Sequence, residues 1–265
     1  MFYSATMQLK ALNYAVINRF IGKKVHGWFF KVMKEADEEI STALHSNISD
    51  KAFTVSSFIG HNVSKPIQIE EGKIYTIRIT LLMDYLFDIF TSKIFETKML
   101  EESLEIEDAK FSVHSFSVGD INKWSGYISE EQLFKMDNTS KTVTMKFFTP
   151  TCFRIGDLHL REPDPDKVFT SLLNKFNKYS NIKLDEGIKE KFKEIEIVHN
   201  DTIQKKVYFP NFYIQGFVGT VTYKLPEKPA LIEAVNVLSR FAFYSGVGYK
   251  TTMGLGQAKR IEEEN

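Results

Sequence analysis

S4-A-T-M-Q-L-K-A-L12 alternates Ala5, Met7, Leu9 and Ala11 with Ser4, Thr6, Gln8 and Lys10, the period-two pattern of a half-buried strand. Working outward, Phe29, Met33, Ala36, Ile40 and Leu44 recur at helical spacing with charged residues in the gaps. That predicts an amphipathic helix over residues 27–44, ended by the polar run His45–Asp50. Short strands are expected at Ala52–Ile59 and Ile74–Leu82, a second helix at 83–100 and a last strand at 110–118. The order β-α-β-β-α-β is the split βαβ arrangement of a ferredoxin-like, RRM-like domain.

Residues 119–140 lapse into polar residues and read as a linker with some ordered pieces. The order then restarts. Val143, Met145 and Phe147 alternate in a strand expected to stop at Pro150. Asp164-Pro165 supplies an N-cap and a first-turn proline for a helix carrying Phe169, Leu172, Leu173, Phe176 and Tyr179. Residues 181–206 are charged and irregular and read as an excursion. Strands at 207–224, a helix from Pro229 to Tyr244 and a strand at 255–261 follow. The expectation is an α+β chain of two tandem ferredoxin-like domains, residues 1–118 and 141–265, joined by 119–140.

Composition places the chain among soluble globular proteins, with 43% hydrophobic and 26% charged residues. No apolar run reaches the length of a membrane span, and the N-terminus lacks the apolar stretch of a signal peptide, so a cytoplasmic location is expected. The single cysteine, Cys152, excludes an internal disulfide and any Cys-based zinc site. Basic and acidic residues balance at 34 each, so overall charge does not select nucleic acid as partner; only segregation of the charges would.

The most informative segment is S245-G-V-G-Y-K-T-T-M-G-L-G256. Gly246, Gly248, Gly254 and Gly256 form two G-x-G units around Tyr249, Lys250, Thr251 and Thr252: a stacking ring, a cation and two hydroxyls. Glycines permit positive φ and close backbone approach, and loop amides can converge on an anion. A dinucleotide fingerprint is excluded because this loop follows a helix and precedes a strand. A Walker A loop is excluded because no glycine precedes Lys250. A helix C-cap followed by a glycine-rich hairpin accounts for the glycines equally well.

The stretch from Arg240 to Ala258 closely resembles the C-terminal glycine-rich motif of the CRISPR-associated repeat-processing endoribonucleases, within the repeat-associated mysterious protein superfamily. All four glycines, Val247 and Leu255 match, as does the placement between last helix and last strand. The strand ending F-T-P-T-C-F-R (Phe148–Arg154) also looks like the opening strand of that family's second domain. The resemblance implies metal-independent cleavage of CRISPR repeat RNA within precursor crRNA. The ribose 2′-hydroxyl attacks the adjacent phosphate, giving a 2′,3′-cyclic phosphate and a 5′-hydroxyl. It implies no cofactor and no metal site, and other CRISPR effector subunits as further partners.

Within the resemblance, L44-H-S-N-I-S-D-K51 matches the family segment carrying the catalytic histidine and a following lysine, which assigns catalysis to His45 and charge neutralisation to Lys51. On spacing alone His45 reads first as a helix-terminal residue facing the helix's negative end, and only the resemblance turns it toward catalysis. Some members place a catalytic tyrosine where this chain has Phe30, and His26 is the obvious substitute. His61, His114, His159 and His199 have no ligating spacing and read as structural or exposed. The expected RNA contacts are Lys23, Lys24, Gly246, Gly248, Tyr249, Lys250, Thr251, Thr252, Gly254 and Gly256, with Arg154, Lys205 and Lys206 as weaker candidates. Two alternatives remain open: a non-catalytic RNA-binding subunit of an effector complex, and an enzyme binding a small phosphorylated ligand in the glycine loop.

Overall fold

The computed structural model describes residues 1–18, 20–46, 51–62 and 65–262, without the side chains of 41, 43, 45 and 46. The chain divides into two compact units. The first comprises Met1–Tyr127 with Val207–Tyr213 and Thr252–Gly254; the second comprises Ile128–Lys206, Ile214–Thr251 and the residues from Leu255 on.

The first unit runs β1 (Phe2–Ala11), β2 (Ala15–Ile17), α1 (Ile21–Ala36), α2 (Glu38–Ser46), β3 (Phe53–Val55), β4 (Ile67–Ile69), β5 (Ile74–Leu81), α3 (Asp84–Met99), β6 (Leu104–Ile106), β7 (Ala109–Val118) and β8 (Gly126–Ile128). Its main sheet has the order β3-β5-β1-β7-β6, with β8 also on β1 and every register given being antiparallel. Counting only the strands of the repeat, that order is 2-3-1-4, the antiparallel ferredoxin-like sheet. Met7 and Leu9 of β1, Ile77 and Ile79 of β5, and Phe29 and Phe90 of the helices are almost wholly buried, so the alternation read in the sequence is the core face.

One expected helix is two. The helix predicted over 27–44 starts at Ile21 and breaks at Asp37, whose backbone is extended. The Asp37 carboxylate accepts from the amide of Ile40 at 2.9 Å and so caps α2, with Glu38 and Glu39 in the favourable first turn. The acidic run masked this start because it also fits the polar face of one long helix. Residues 47–50, in the polar run expected to end it, lie outside the described residues.

The second unit repeats the arrangement. After a short helix α4 (Glu130–Lys135) come β9 (Thr142–Thr151), the small hairpin β10 (Phe153–Ile155) and β11 (Leu158–Leu160), α5 (Pro165–Tyr179), β12 (Glu196–Tyr208), β13 (Tyr213–Lys224), α6 (Pro229–Ser245) and β14 (Ala258–Ile261). The sheet order β12-β13-β9-β14 is again 2-3-1-4. Asp164 caps α5 as its sequence implies, accepting from the amide of Lys167 at 3.1 Å.

Two local expectations fail. β9 runs through Pro150 to Thr151, because β14 pairs back only as far as Phe147 and so demands no N–H at residue 150. Residues 196–206 belong to a strand; they are exposed almost throughout, which removes the alternation that would have revealed it. Among the described residues, no helix is long and apolar enough to cross a membrane.

Candidate functional site

In the first unit the site grows from one face of α1. Gly22, His26 and Phe30 are spaced four apart and therefore stack along the helix. Gly22 is packed so closely that a Cβ there would lie 2.1 Å from the Met253 carbonyl oxygen. One turn on, His26 Nδ1 is 2.8 Å from the carbonyl oxygen of Thr252. The His26 ring lies 4.9 Å from that of Phe30 and 5.9 Å from that of Phe53. Phe30 itself is 6% exposed.

Lys51 also stands over Phe30, its Nζ 4.8 Å from the ring centre. The same ammonium donates to the carbonyl of Leu44 at 2.7 Å, placing the charge at the last turn of α2. Burial lowers the Lys51 pKa below its ordinary value by disfavouring the ammonium form. His45 belongs to that last turn; its side chain is outside the described residues. Lys23 is exposed, whereas Lys24 pairs with Glu107.

Most of the glycine loop belongs to the second unit, where it is held by its own frame. Gly246, Gly248, Gly254 and Gly256 all have positive φ. A Cβ on Gly256 would lie 2.0 Å from the carbonyl oxygen of Val247, and one on Gly248 would lie 2.4 Å from that of Cys152. The amide of Val247 donates to Gly256, that of Tyr249 to Cys152, and that of Gly256 to Pro150. The amide of Gly248 donates to the Ser171 hydroxyl at 3.0 Å. These amides therefore do not converge on an anion as the sequence suggested. Thr251 is buried, and its hydroxyl accepts from the buried ammonium of Lys175, which also donates to the carbonyl of Ser245.

Tyr249 and Lys250 form the loop's outward part. The Lys250 ammonium is 5.0 Å from the Tyr249 ring centre, and the Arg154 guanidinium carbon is 6.0 Å from it. The His159 ring lies 5.4 Å away, tilted by 32°. The β10–β11 hairpin sets Arg154 opposite His159. Burial, then the charges of Arg154, Arg161 and Lys250, push the His159 pKa below its usual value. Among the described residues, no three His, Cys, Asp or Glu side chains gather in a way that could hold a metal ion.

Two family descriptions match along most of the chain: the Cas6 N-terminal domain over residues 1–135 and the CRISPR-associated endoribonuclease Cas6 over 145–258. The chain belongs to the Cas6 family of CRISPR-associated endoribonucleases. A Streptococcus thermophilus Cas6 endoribonuclease is 22% identical over 246 residues, covering 91% of this chain and 92% of that protein. The product complex of Thermus thermophilus Cas6 (TTHB231) superposes with a TM-score of 0.85 at 24% identity, covering 98% of this chain and all of that one. A second Cas6 product complex (TTHA0078) gives 0.80 at 24% identity, covering 99% and 100%.

Of the residues singled out in this Cas6 chain, Lys51 is brought to the turn that carries His45, and His26 shares the Phe30 ring with it. Tyr249, Lys250 and Thr252 lie at least partly open, while Thr251, Gly254 and Gly256 are buried. His159, read in the sequence as structural or exposed, and Arg154, read there as a weaker RNA candidate, both lie against the Tyr249 ring. The signal for them was Gly156-Asp157, a turn dipeptide between F-R-I and L-H-L that folds Arg154 back on His159.

Proposed function

We propose that this chain binds CRISPR repeat RNA and cuts precursor crRNA by attack of a ribose 2′-hydroxyl on the adjacent phosphate, without a metal ion and in the cytoplasm. The observation that carries this is the Lys51 ammonium held on the Leu44 carbonyl, which fixes a partly buried cation at the helix turn of His45. A base removes the 2′-hydroxyl proton, the O2′–P bond forms, the P–O5′ bond breaks, and an acid protonates O5′. His45 serves in proton transfer, since an imidazole titrates near neutrality. Lys51 stabilises the charge gathering on the phosphorane-like transition state, and a cation with few waters around it acts more strongly.

The RNA backbone is gripped by Lys23, Lys250 and Arg154, with Tyr249 offering a stacking face. The glycines and Thr251 shape the loop that presents these groups. Other CRISPR effector subunits are its further partners. Incubating the purified protein with end-labelled repeat RNA tests the function. Cleavage supports it. Tight binding without cleavage points to an RNA-binding effector subunit, and indifference to the RNA overturns the RNA reading altogether.

A further inference from the structure

We propose that Thr252–Gly254 is a positioning element for the cutting step: the Thr252 carbonyl holds His26 in the Nδ1–H tautomer, making Nε2 the nitrogen that exchanges a proton with the RNA. This rests on the ribonuclease reading above and adds a second proton carrier to it.

A carbonyl oxygen only accepts, so at 2.8 Å the proton of the contact belongs to His26 Nδ1. When the ring is neutral, Nε2 then holds the lone pair. This is the minority tautomer of a free histidine side chain, and the hydrogen bond has to select it. Ring orientation is fixed as well. The His26 and Phe30 rings meet at 4.9 Å with planes 71° apart, and Phe53 lies at 5.9 Å with planes inclined by 23°.

The backbone of the segment is built for this approach. Gly22 lies one helical turn before His26, and any side chain there would strike the Met253 carbonyl, the next along from Thr252. Gly254 has φ +88°, and a Cβ on it would come within 3.2 Å of the Ser57 amide nitrogen. Two glycines, one on α1 and one in the loop, thus permit the contact between helix and loop. A loop serving only to cap α6 would place no such demand on position 22. The proton balance is that given above: Nε2 takes the 2′-hydroxyl proton or returns one to O5′, with His45 performing the complementary transfer.

The test uses full-length protein labelled with ¹⁵N in its histidines, without RNA, at a pH where His26 is neutral. The His26 signals are identified by their loss in His26→Gln. The expected result is a protonated Nδ1 and an unprotonated Nε2. An Nε2–H tautomer, or a rapid mixture of the two, overturns the proposal. His26→Asn keeps a donor near the Nδ1 position but has no Nε2. It should retain the wild-type melting temperature and lose cleavage by about 10²–10⁴-fold. Wild-type cleavage by His26→Asn overturns the proposal. Gly22→Ala should move the tautomer toward Nε2–H and slow single-turnover cleavage about 10²-fold. A Gly22→Ala protein with unchanged tautomer and rate also overturns it. Because the tautomer is read on the protein alone, its failure is distinguishable from failure of the wild-type chain to cut repeat RNA, which overturns the ribonuclease reading.

Discussion

The ammonium of Lys51 donates a 2.7 Å hydrogen bond to the carbonyl oxygen of Leu44, one peptide away from His45. The last carbonyls of a helix carry negative partial charge and lack helical partners, which favours a cation there. Partial burial works against the same cation and lowers its pKa. With the two effects opposed, Lys51→Met should change the melting temperature little while slowing single-turnover cleavage about 10²–10³-fold. A lysine with a depressed folded pKa carries its full stability cost at neutral pH. That cost fades as the pH rises through the depressed value toward about 10.4. The stability of Lys51→Met relative to wild type should therefore be most favourable near neutrality and decline above it. Cleavage by Lys51→Met at the wild-type rate would remove Lys51 from the chemistry.

The glycine loop separates two kinds of substitution. Lys250 has φ 56°, a conformation that asparagine tolerates. Lys250→Asn should keep the melting temperature, weaken RNA binding, and reduce the slope of log affinity against log salt by about 0.7 for one lost phosphate contact. Gly248→Ala instead forces a Cβ toward the Cys152 carbonyl, 2.4 Å away, so affinity and melting temperature should fall together. Melts and salt titrations of both proteins check this. Gly248→Ala with intact stability and lost binding would return the glycine to direct RNA contact.

His45→Ala should reduce single-turnover cleavage about 10²–10⁴-fold with RNA affinity nearly unchanged, the pattern of a lost proton carrier. Equal loss of affinity and rate would make His45 a binding residue.

The paired 2-3-1-4 sheets were legible because β1, β5 and β9 carry apolar residues at alternate positions, a period that survives although Ser4, Thr6, Arg78 and Thr80 between them are buried too. β12 escaped because a strand exposed on both faces leaves no period to detect. The break at Asp37 escaped because an aspartate before two glutamates fits both a cap and a polar helical face. At the site, the resemblance singled out the segment Leu44–Lys51, but the bond of the Lys51 ammonium to the Leu44 carbonyl was not read from it. The His26–Thr252 bond joins residues far apart in the chain, and only the fold brings them together. The glycine loop was located correctly, but its amides are taken by Pro150, Cys152 and Ser171, partners that no local pattern names.

Cys152 gives a test of the second unit's packing. It is buried, and desolvation pushes its thiol pKa up to about 11. Iodoacetamide at pH 8 should leave the native protein unlabelled and label it fully in denaturant. Because the folded state disfavours the thiolate, this residue's contribution to stability is intact below the unfolded pKa of about 8.5 and is lost as the pH rises toward 11. Rapid labelling of the native protein would contradict the packing around the Cys152 carbonyl on which Tyr249 hangs.

The central claim is cleavage by the RNA's own 2′-hydroxyl without a metal. Its most direct test is single-turnover cleavage in excess EDTA, comparing repeat RNA with the same RNA carrying one 2′-deoxy nucleotide before the scissile phosphate. The all-ribose RNA should be cut at its full rate to a 2′,3′-cyclic phosphate and a 5′-hydroxyl, and the deoxy RNA should remain intact. Cleavage of the deoxy RNA, or activity lost in EDTA and restored by magnesium, would contradict the account.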